Sequence, residues 1–359
     1  MPKIVHVVGA RPNFMKAAPV MDALAERDGL VQRLVHTGQH YDRNMSDLFF
    51  SQLGLPRPDV NLGVGSAGHA VQTARIMMKL DEVFSTEAPD LVLVYGDVNS
   101  TAAASLVAVK RGIRVGHVEA GLRSFDRSMP EEINRLVTDR LSDLLFTPSP
   151  DGDENLLREG VDRARIFQVG NVMIDTLVRL LPRTEGLWTP SEPYVLVTLH
   201  RPSNVDRPET LLAVMAGLER IAREARVIFP VHPRTRARLE AIGYRHRAAS
   251  GLELLEPQGY LEFLALQRRA AAVVSDSGGV QEETTFLGVP CLTLRQNTER
   301  PVTVTMGTNI LVGGNVEKMV FEVERILAGE GKKGGAPPLW DGKAGRRIAD
   351  VIAGAFQRK

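Results

Sequence analysis

Short, unbroken apolar runs alternate along the chain with longer segments whose apolar residues recur at helical spacing. The runs cover residues 4–8, 31–36, 91–95, 114–118, 144–147, 194–199, 227–229, 252–255, 272–274 and 291–294. They are rich in Val, Leu and Ile and barely alternate with polar residues, which is the pattern of parallel strands buried on both faces. Helical patterns fall between them, among others over 70–86, 100–110, 131–141, 210–223 and 317–327. Strand and helix in repeated alternation predict a doubly wound α/β architecture. The 359 residues suit two domains better than one core. The alternation breaks once, at 179–193, where three prolines and a glycine precede a new strand at Tyr194. We read this stretch as the end of a domain bridge. A second soft stretch, 329–338, precedes a last helix at 342–356. The expected domains are 1–170 with the C-terminal segment 342–359, and 171–341. No fixed-period repeat and no low-complexity segment interrupts them.

In open parallel sheets, ligands bind outside the carboxyl ends of the strands. Polar and glycine residues cluster at those ends here: Gly9-Ala10-Arg11-Pro12-Asn13, Gly96-Asp97-Val98-Asn99, Glu119-Ala120-Gly121-Leu122-Arg123, His200-Arg201-Pro202, His232-Pro233-Arg234 and Ser275-Asp276-Ser277-Gly278-Gly279. The last of these follows a buried strand and opens a helix. Gly278 and Gly279 let backbone amides approach an anion, Ser277 adds a hydroxyl, and the helix terminus adds partial positive charge. Glu283, one to two turns further, is placed to accept from ribose hydroxyls. The same residues also read as an ordinary glycine turn capped by Asp276 or Ser277. Arg11 and Lys16 are cations after the first strand, suited to an anionic ligand or to buried acids; Lys16 alone reads as a solvated helix residue.

Asp97 and Glu119 each follow a Val-rich strand, and Glu131 opens a helix that continues through Glu132, Asn134 and Arg135. Converging carboxylates shift one another's pKa, which is how a base and an acid are made at neutral pH. The competing reading is capping for Asp97 and Glu131 and ion pairs with Arg123 or Arg135 for the others. Arg201 can fork onto a phosphate, and His200 can donate to one or shuttle a proton; a satisfied histidine at the sheet edge is the alternative. His117, inside its strand, reads as a satisfied core residue.

Composition narrows the classes. The formal net charge is +1, so no global field draws the chain to nucleic acid or a membrane. No apolar run approaches the roughly 20 residues of a membrane span, and the first apolar stretch is too short for a signal peptide. Cys291 is the single cysteine, so no intrachain disulfide forms. Cytoplasm is the expected compartment. No His/Cys/Asp spacing resembles a metal site, and neither a dinucleotide fingerprint nor a Walker lysine is present. A phosphate cradle together with several carboxylates suggests chemistry on a nucleotide sugar. Inverting carbon 2 without a redox cofactor requires elimination: the proton and UDP leave together and both return. That needs a carboxylate base, a stabiliser for positive charge at the ring, and cations for the departing diphosphate.

Taken together, Gly9-Ala10-Arg11-Pro12, Thr37-Gly38-Gln39-His40, Gly96-Asp97, Gly116-His117-Val118-Glu119-Ala120-Gly121-Leu122-Arg123, Pro130-Glu131-Glu132-Ile133-Asn134-Arg135, Gly170-Asn171, Pro230-Val231-His232, Asp276-Ser277-Gly278-Gly279-Val280-Gln281-Glu282-Glu283 and Thr298-Glu299-Arg300-Pro301 resemble the non-hydrolysing UDP-N-acetylglucosamine 2-epimerase family. The resemblance implies a GT-B fold of two Rossmann-like domains with the active-site cleft between them. It also implies a C-terminal helix that returns to the first domain and, as in most of the family, a homodimer; with the spacing and charge read above, no cofactor, metal, nucleic-acid or membrane partner is expected. The implied reaction interconverts UDP-N-acetylglucosamine and UDP-N-acetylmannosamine, or a related UDP-2-acetamido sugar, through a 2-acetamidoglucal. Asp97, Glu119 and Glu131 would be the acid/base carboxylates, with His200 beside them. Arg11, Lys16, Arg135, Arg201 and Arg300 would contact substrate, Ser277, Gly278 and Gly279 would hold the diphosphate, Glu283 the ribose, and Phe263 would lie near the uracil. A GT-B glycosyltransferase, a hydrolysing epimerase and a sugar-nucleotide sensor are the rival readings. The chain departs from the family pattern at Ala10, Asn13, Tyr95, Pro202-Ser203 and Val302. The acid/base set is intact; the lost charges bear on which sugar is used and on activation by a second substrate molecule.

Overall fold

The computed structural model describes residues 1–39, 54–244 and 251–357, with the Arg11 side chain left undescribed. His40 of the Thr37-Gly38-Gln39-His40 run therefore lies outside the described residues. The chain divides into two units, Met1–Thr176 with Pro338–Lys359, and Leu177–Pro337.

In the first unit, β1 (Lys3–Val8), β2 (Val31–His36), β3 (Val60–Asn61), β4 (Leu91–Tyr95), β5 (Arg114–Val118), β6 (Leu144–Thr147) and β7 (Ile166–Gln168) form one parallel sheet. Its order is β3-β2-β1-β4-β5-β6-β7. In the second unit, β8 (Tyr194–Thr198), β9 (Arg226–Pro230), β10 (Leu252–Leu255), β11 (Ala272–Ser275), β12 (Cys291–Thr293) and β13 (Asn309–Leu311) form another, in the order β10-β9-β8-β11-β12-β13. Both are doubly wound. Strand order reverses between β1 and β4 in one and between β8 and β11 in the other, which puts a crevice at each of those points.

The strand runs are continuous because both faces are covered. On β8, Val195 and Val197 enter a core with Val214 and Leu218 from the helix Pro208–Ile221 and Met319 and Val323 from the helix Val316–Leu327. Tyr194 and Leu196 point the other way, packing with Leu266 and Val280 from the helices Tyr260–Arg269 and Gly278–Leu287. Each fully buried Val or Leu contributes roughly 1.5–3 kcal/mol. Three strands absent from the sequence reading, β3, β7 and β13, are edge strands of two or three residues. They carry too few apolar positions to register as runs.

The C-terminal helix Ala344–Gln357 packs on the helix Arg11–Ala25 within the first unit. Buried Asp175 accepts from the amides of Ala344 and Gly345, at 3.0 and 2.7 Å, and so caps its first turn. A Cβ at Gly345 would lie 2.5 Å from the Pro19 carbonyl oxygen, so the crossing needs glycine. Pro19 sits inside its own helix and cannot donate to the carbonyl of Met15. The Thr176 hydroxyl donates to that carbonyl instead, at 2.6 Å.

Candidate active site

The first crevice lies where β1 and β4 diverge. Asn13, in the opening turn of the helix after β1, accepts from the amides of Gly9 and Ala10, each at 3.1 Å, and donates to the Tyr95 carbonyl at 2.7 Å. It thereby ties the ends of β1 and β4 together. One turn on, Lys16 is buried and its ammonium pairs with the Glu119 carboxylate. The solvated reading of Lys16 is therefore wrong; a carboxylate 103 positions away along the chain compensates its burial. Glu119 itself has φ of 76°, a left-handed conformation that is costly for a residue with a Cβ and that clusters at functional sites. Gly96, φ 62°, makes room for this pair. A Cβ there would lie 2.8 Å from Lys16 Nζ and 3.2 Å from Glu119 Oε2.

Asp97 follows directly. Its carboxylate lies 3.4 Å from Arg135 Nε, and its carbonyl accepts from Asn134 Nδ2 at 2.9 Å. Arg135 is buried and pairs with Glu132 at 3.1 Å. Glu132 in turn accepts from the amides of Ser124 and Phe125. Glu131 stands three and four residues before Asn134 and Arg135, so it shares the helix face that meets Asp97. It is partly exposed and makes no hydrogen bond or ion pair among the described residues. Capping does not account for these acids: the helices Asn99–Lys110 and Pro130–Leu141 have Val98 and Met129 at their N-caps, without side-chain caps. Nor does Arg123, which pairs with Asp139 and Glu159. His117 is a satisfied core residue, bonded to Asp139 at 2.6 Å and the Gly96 carbonyl at 2.8 Å.

The second crevice, between β8 and β11, is built on Asp276. This buried carboxylate accepts from the amides of His200 and Arg201, from Asn204 Nδ2 at 3.0 Å, and lies 3.1 Å from His200 Nδ1. Burial pushes the Asp276 carboxyl up, and its contacts with His200, Asn204 and the Arg201 amide outweigh that and hold it below its usual value. It fixes the turn that carries His200 and Arg201. The His200 ring is 40% exposed and lies 5.5 Å from that of His232.

Ser277 is the N-cap of the helix Gly278–Leu287, yet its side chain does not cap it, so the terminal amides keep their donors. Arg300 is mostly buried there, held at Nε by Glu282 at 2.7 Å and at Nη1 by Glu299. Glu299 also holds Arg295, at 2.6 Å. Burial pushes Glu299 up, but the two arginines overcome it and keep its carboxyl far below the usual range. A Cβ at Gly278 would lie 2.8 Å from Arg300 Nη1, so glycine lets the guanidinium reach the helix terminus. A cation beside unoccupied amides makes an anion site. Glu283, buried, accepts from the Tyr260 hydroxyl at 2.9 Å, and burial pushes its carboxyl up to about 7. Phe263, like Leu255 and Leu287, is partly buried and packs against the core that holds Leu266 and Val280. Sequence reasoning missed Tyr260, Asn13, Asn134 and Glu299 as organising residues; of these, Asn13, Asn134 and Glu299 lay within the quoted motifs. Among the described residues no cluster of His, Cys, Asp or Glu could hold a metal ion.

Two doubly wound units, one with ion-paired acids after its strands and one with a helix terminus suited to an anion, have the architecture of GT-B nucleotide-sugar enzymes. A sequence model of the family described as UDP-N-acetylglucosamine 2-epimerase matches residues 22–353. A UDP-N-acetylglucosamine 2-epimerase of Methanocaldococcus jannaschii is 43% identical, covering 98% of both chains. A UDP-2,3-diacetamido-2,3-dideoxy-D-glucuronate 2-epimerase of Pseudomonas aeruginosa is 42% identical over 98% of this chain and 99% of its own. A crystal structure of the M. jannaschii UDP-GlcNAc 2-epimerase in complex with UDP-GlcNAc and UDP superposes with a TM-score of 0.88 at 42% identity, covering 98% of this chain and 99% of that one. The chain belongs to the UDP-N-acetylglucosamine 2-epimerase family.

Proposed function

We propose that the protein is a non-hydrolysing epimerase that inverts carbon 2 of UDP-N-acetylglucosamine or of a closely related UDP-2-acetamido sugar. The observation that supports the reading is the contrast between the crevices: acids held at β4, β5 and the helix after β5, and, after β11, a helix terminus without a side-chain cap beside Arg300, with Glu283 one to two turns on. The helix terminus at Ser277, Gly278 and Gly279, with Arg300 beside it, takes the diphosphate. Arg201 and His200 serve the same group from the neighbouring turn. Glu283 accepts from the ribose and Phe263 lies near the uracil. By the family resemblance, Arg11, Lys16 and Arg135 would also contact the substrate from the first unit.

The reaction needs no redox cofactor. A carboxylate removes the proton on carbon 2, the C–H electron pair becomes the C1–C2 double bond, and the C1–O pair leaves with UDP. Re-addition reverses these steps: a β-phosphate oxygen bonds to carbon 1 and carbon 2 takes a proton on the opposite face. Asp97, Glu119 and Glu131 move the protons and steady the charge at the ring, the elimination being anti and the re-addition syn. Glu131, which has no hydrogen bond or ion pair among the described residues, is the acid best placed to exchange a proton with a ligand. Lys16 and Arg135 hold Glu119 and Asp97 in place. Kinship with the P. aeruginosa enzyme keeps a 2,3-diacetamido uronate among the candidate sugars.

The family resemblance supports a homodimer without nucleic-acid partners. No helix among the described residues is long and apolar enough to cross a membrane. Incubation with a panel of UDP-2-acetamido sugars in heavy water tests the reading. Deuterium enters carbon 2 with no acceptor present, and the sugar stays on UDP. A requirement for an acceptor would make the protein a transferase, release of free sugar would make it a hydrolase, and UDP binding without exchange would make it a sensor.

A further inference from the structure

Glu283 is a poor acceptor as the core leaves it. It sits inside the helix Gly278–Leu287, 4% exposed, and its neighbour Glu282 adds to the burial that favours the neutral acid. A neutral carboxyl offers a diol one acceptor fewer and a proton besides. The Tyr260 hydroxyl opposes this most strongly, donating to Glu283 Oε1 at 2.9 Å, and Gln267 acts in the same direction to a lesser degree. Tyr260 opens the helix Tyr260–Arg269 and shares its face with Phe263, three residues on. One short helix thus brings a phenol to Glu283 and a phenyl ring to the same margin of the core.

We propose that Tyr260 is the positioning residue of the nucleotide site: by donating to Glu283 Oε1 it fixes the carboxylate and leaves Oε2 to accept from the ribose hydroxyls of a uridine nucleotide. The proposal rests on Glu283 as the ribose acceptor and adds the group that makes it competent. Tyr260 does not touch the reacting carbon, so its effect belongs in nucleotide affinity and not in the chemical step.

The test compares binding of UDP and of 2′,3′-dideoxy-UDP by calorimetry to the full-length protein and to Tyr260→Phe, Glu283→Gln and the double variant. The parent prefers UDP by about tenfold or more, the low end of what a hydrogen bond to a charged group is worth. Tyr260→Phe loses most of that preference by weakening UDP alone, and raises KM while kcat at saturation stays within about twofold. The double variant behaves as Glu283→Gln alone, because the phenol acts only through the carboxylate. Equal weakening of both ligands in Tyr260→Phe would reduce Tyr260 to packing, and an unchanged preference would remove it from the site; either result overturns the proposal while leaving the ribose assignment intact. An undiminished preference in Glu283→Gln would overturn that assignment itself.

Discussion

The two crevices occupy the same topological position in two sheets of the same winding, and they are stocked differently. The first is lined by charged side chains that neutralise one another: Lys16 with Glu119, and Asp97 and Glu132 with Arg135. The second uses a buried Asp276 to shape backbone, leaves helix amides open at Gly278, and brings the Arg300 guanidinium beside them. The first arrangement keeps its carboxylates ionised and oriented by the cations beside them, the state a general base needs. The second suits steady binding of an anion. Doubly wound topology supplies only the places; the residues after each strand decide whether a crevice does chemistry or holds a nucleotide.

The sharpest way to break this contrast is to remove the acids. Asp97→Asn and Glu131→Gln each lower deuterium exchange by about 100-fold or more, the usual loss of a general acid or base, while UDP affinity stays within about threefold. An active Glu131→Gln would take Glu131 out of the reaction.

Glu283 sets a stability effect that tells the two units apart. Its folded value, about 7, is raised above the ordinary 4.5. Its contribution to stability is therefore whole below pH 4.5 and is lost as pH rises through 7, by on the order of 3 kcal/mol at most. Glu283→Gln should flatten that decline in the melting temperature of the ligand-free second unit; an unchanged slope would show that the carboxyl titrates normally.

Alanine at the two crevice glycines separates the halves more finely. Gly96→Ala places a Cβ against Lys16 and Glu119 at positive φ. It should cost about 2 kcal/mol of stability and lower exchange. Gly278→Ala meets the side-chain ends of Arg300 and Glu299 and no backbone, so it should weaken UDP about tenfold, a lost charge-assisted contact, with little change in melting temperature. The reverse pattern would mean that the crevices have been assigned to the wrong roles.

Much of the fold was legible in the sequence because buried parallel strands leave uninterrupted Val-, Leu- and Ile-rich runs. The edge strands β3, β7 and β13 were not, since two or three residues make no period. At the site, the residue types after each strand stood out, but their pairings did not. Nothing local to Lys16 points to Glu119, and the sequence suggested Arg123 as an acid partner where the fold gives that arginine Asp139 and Glu159. Tyr260 meets Glu283 across 23 positions and two helices, a contact that only tertiary packing decides. The left-handed backbone of Glu119 was equally hidden, since a residue with a Cβ gives no sequence sign of positive φ.

The central claim is that the bond between carbon 1 and UDP breaks and re-forms in each turnover. Positional isotope exchange tests it most directly, using a UDP-2-acetamido sugar with ¹⁸O in the bridge between carbon 1 and the β-phosphate. We predict that the label scrambles into the non-bridging β-phosphate oxygens alongside deuterium entry at carbon 2. Deuterium entry with the label still fixed in the bridge would contradict the elimination.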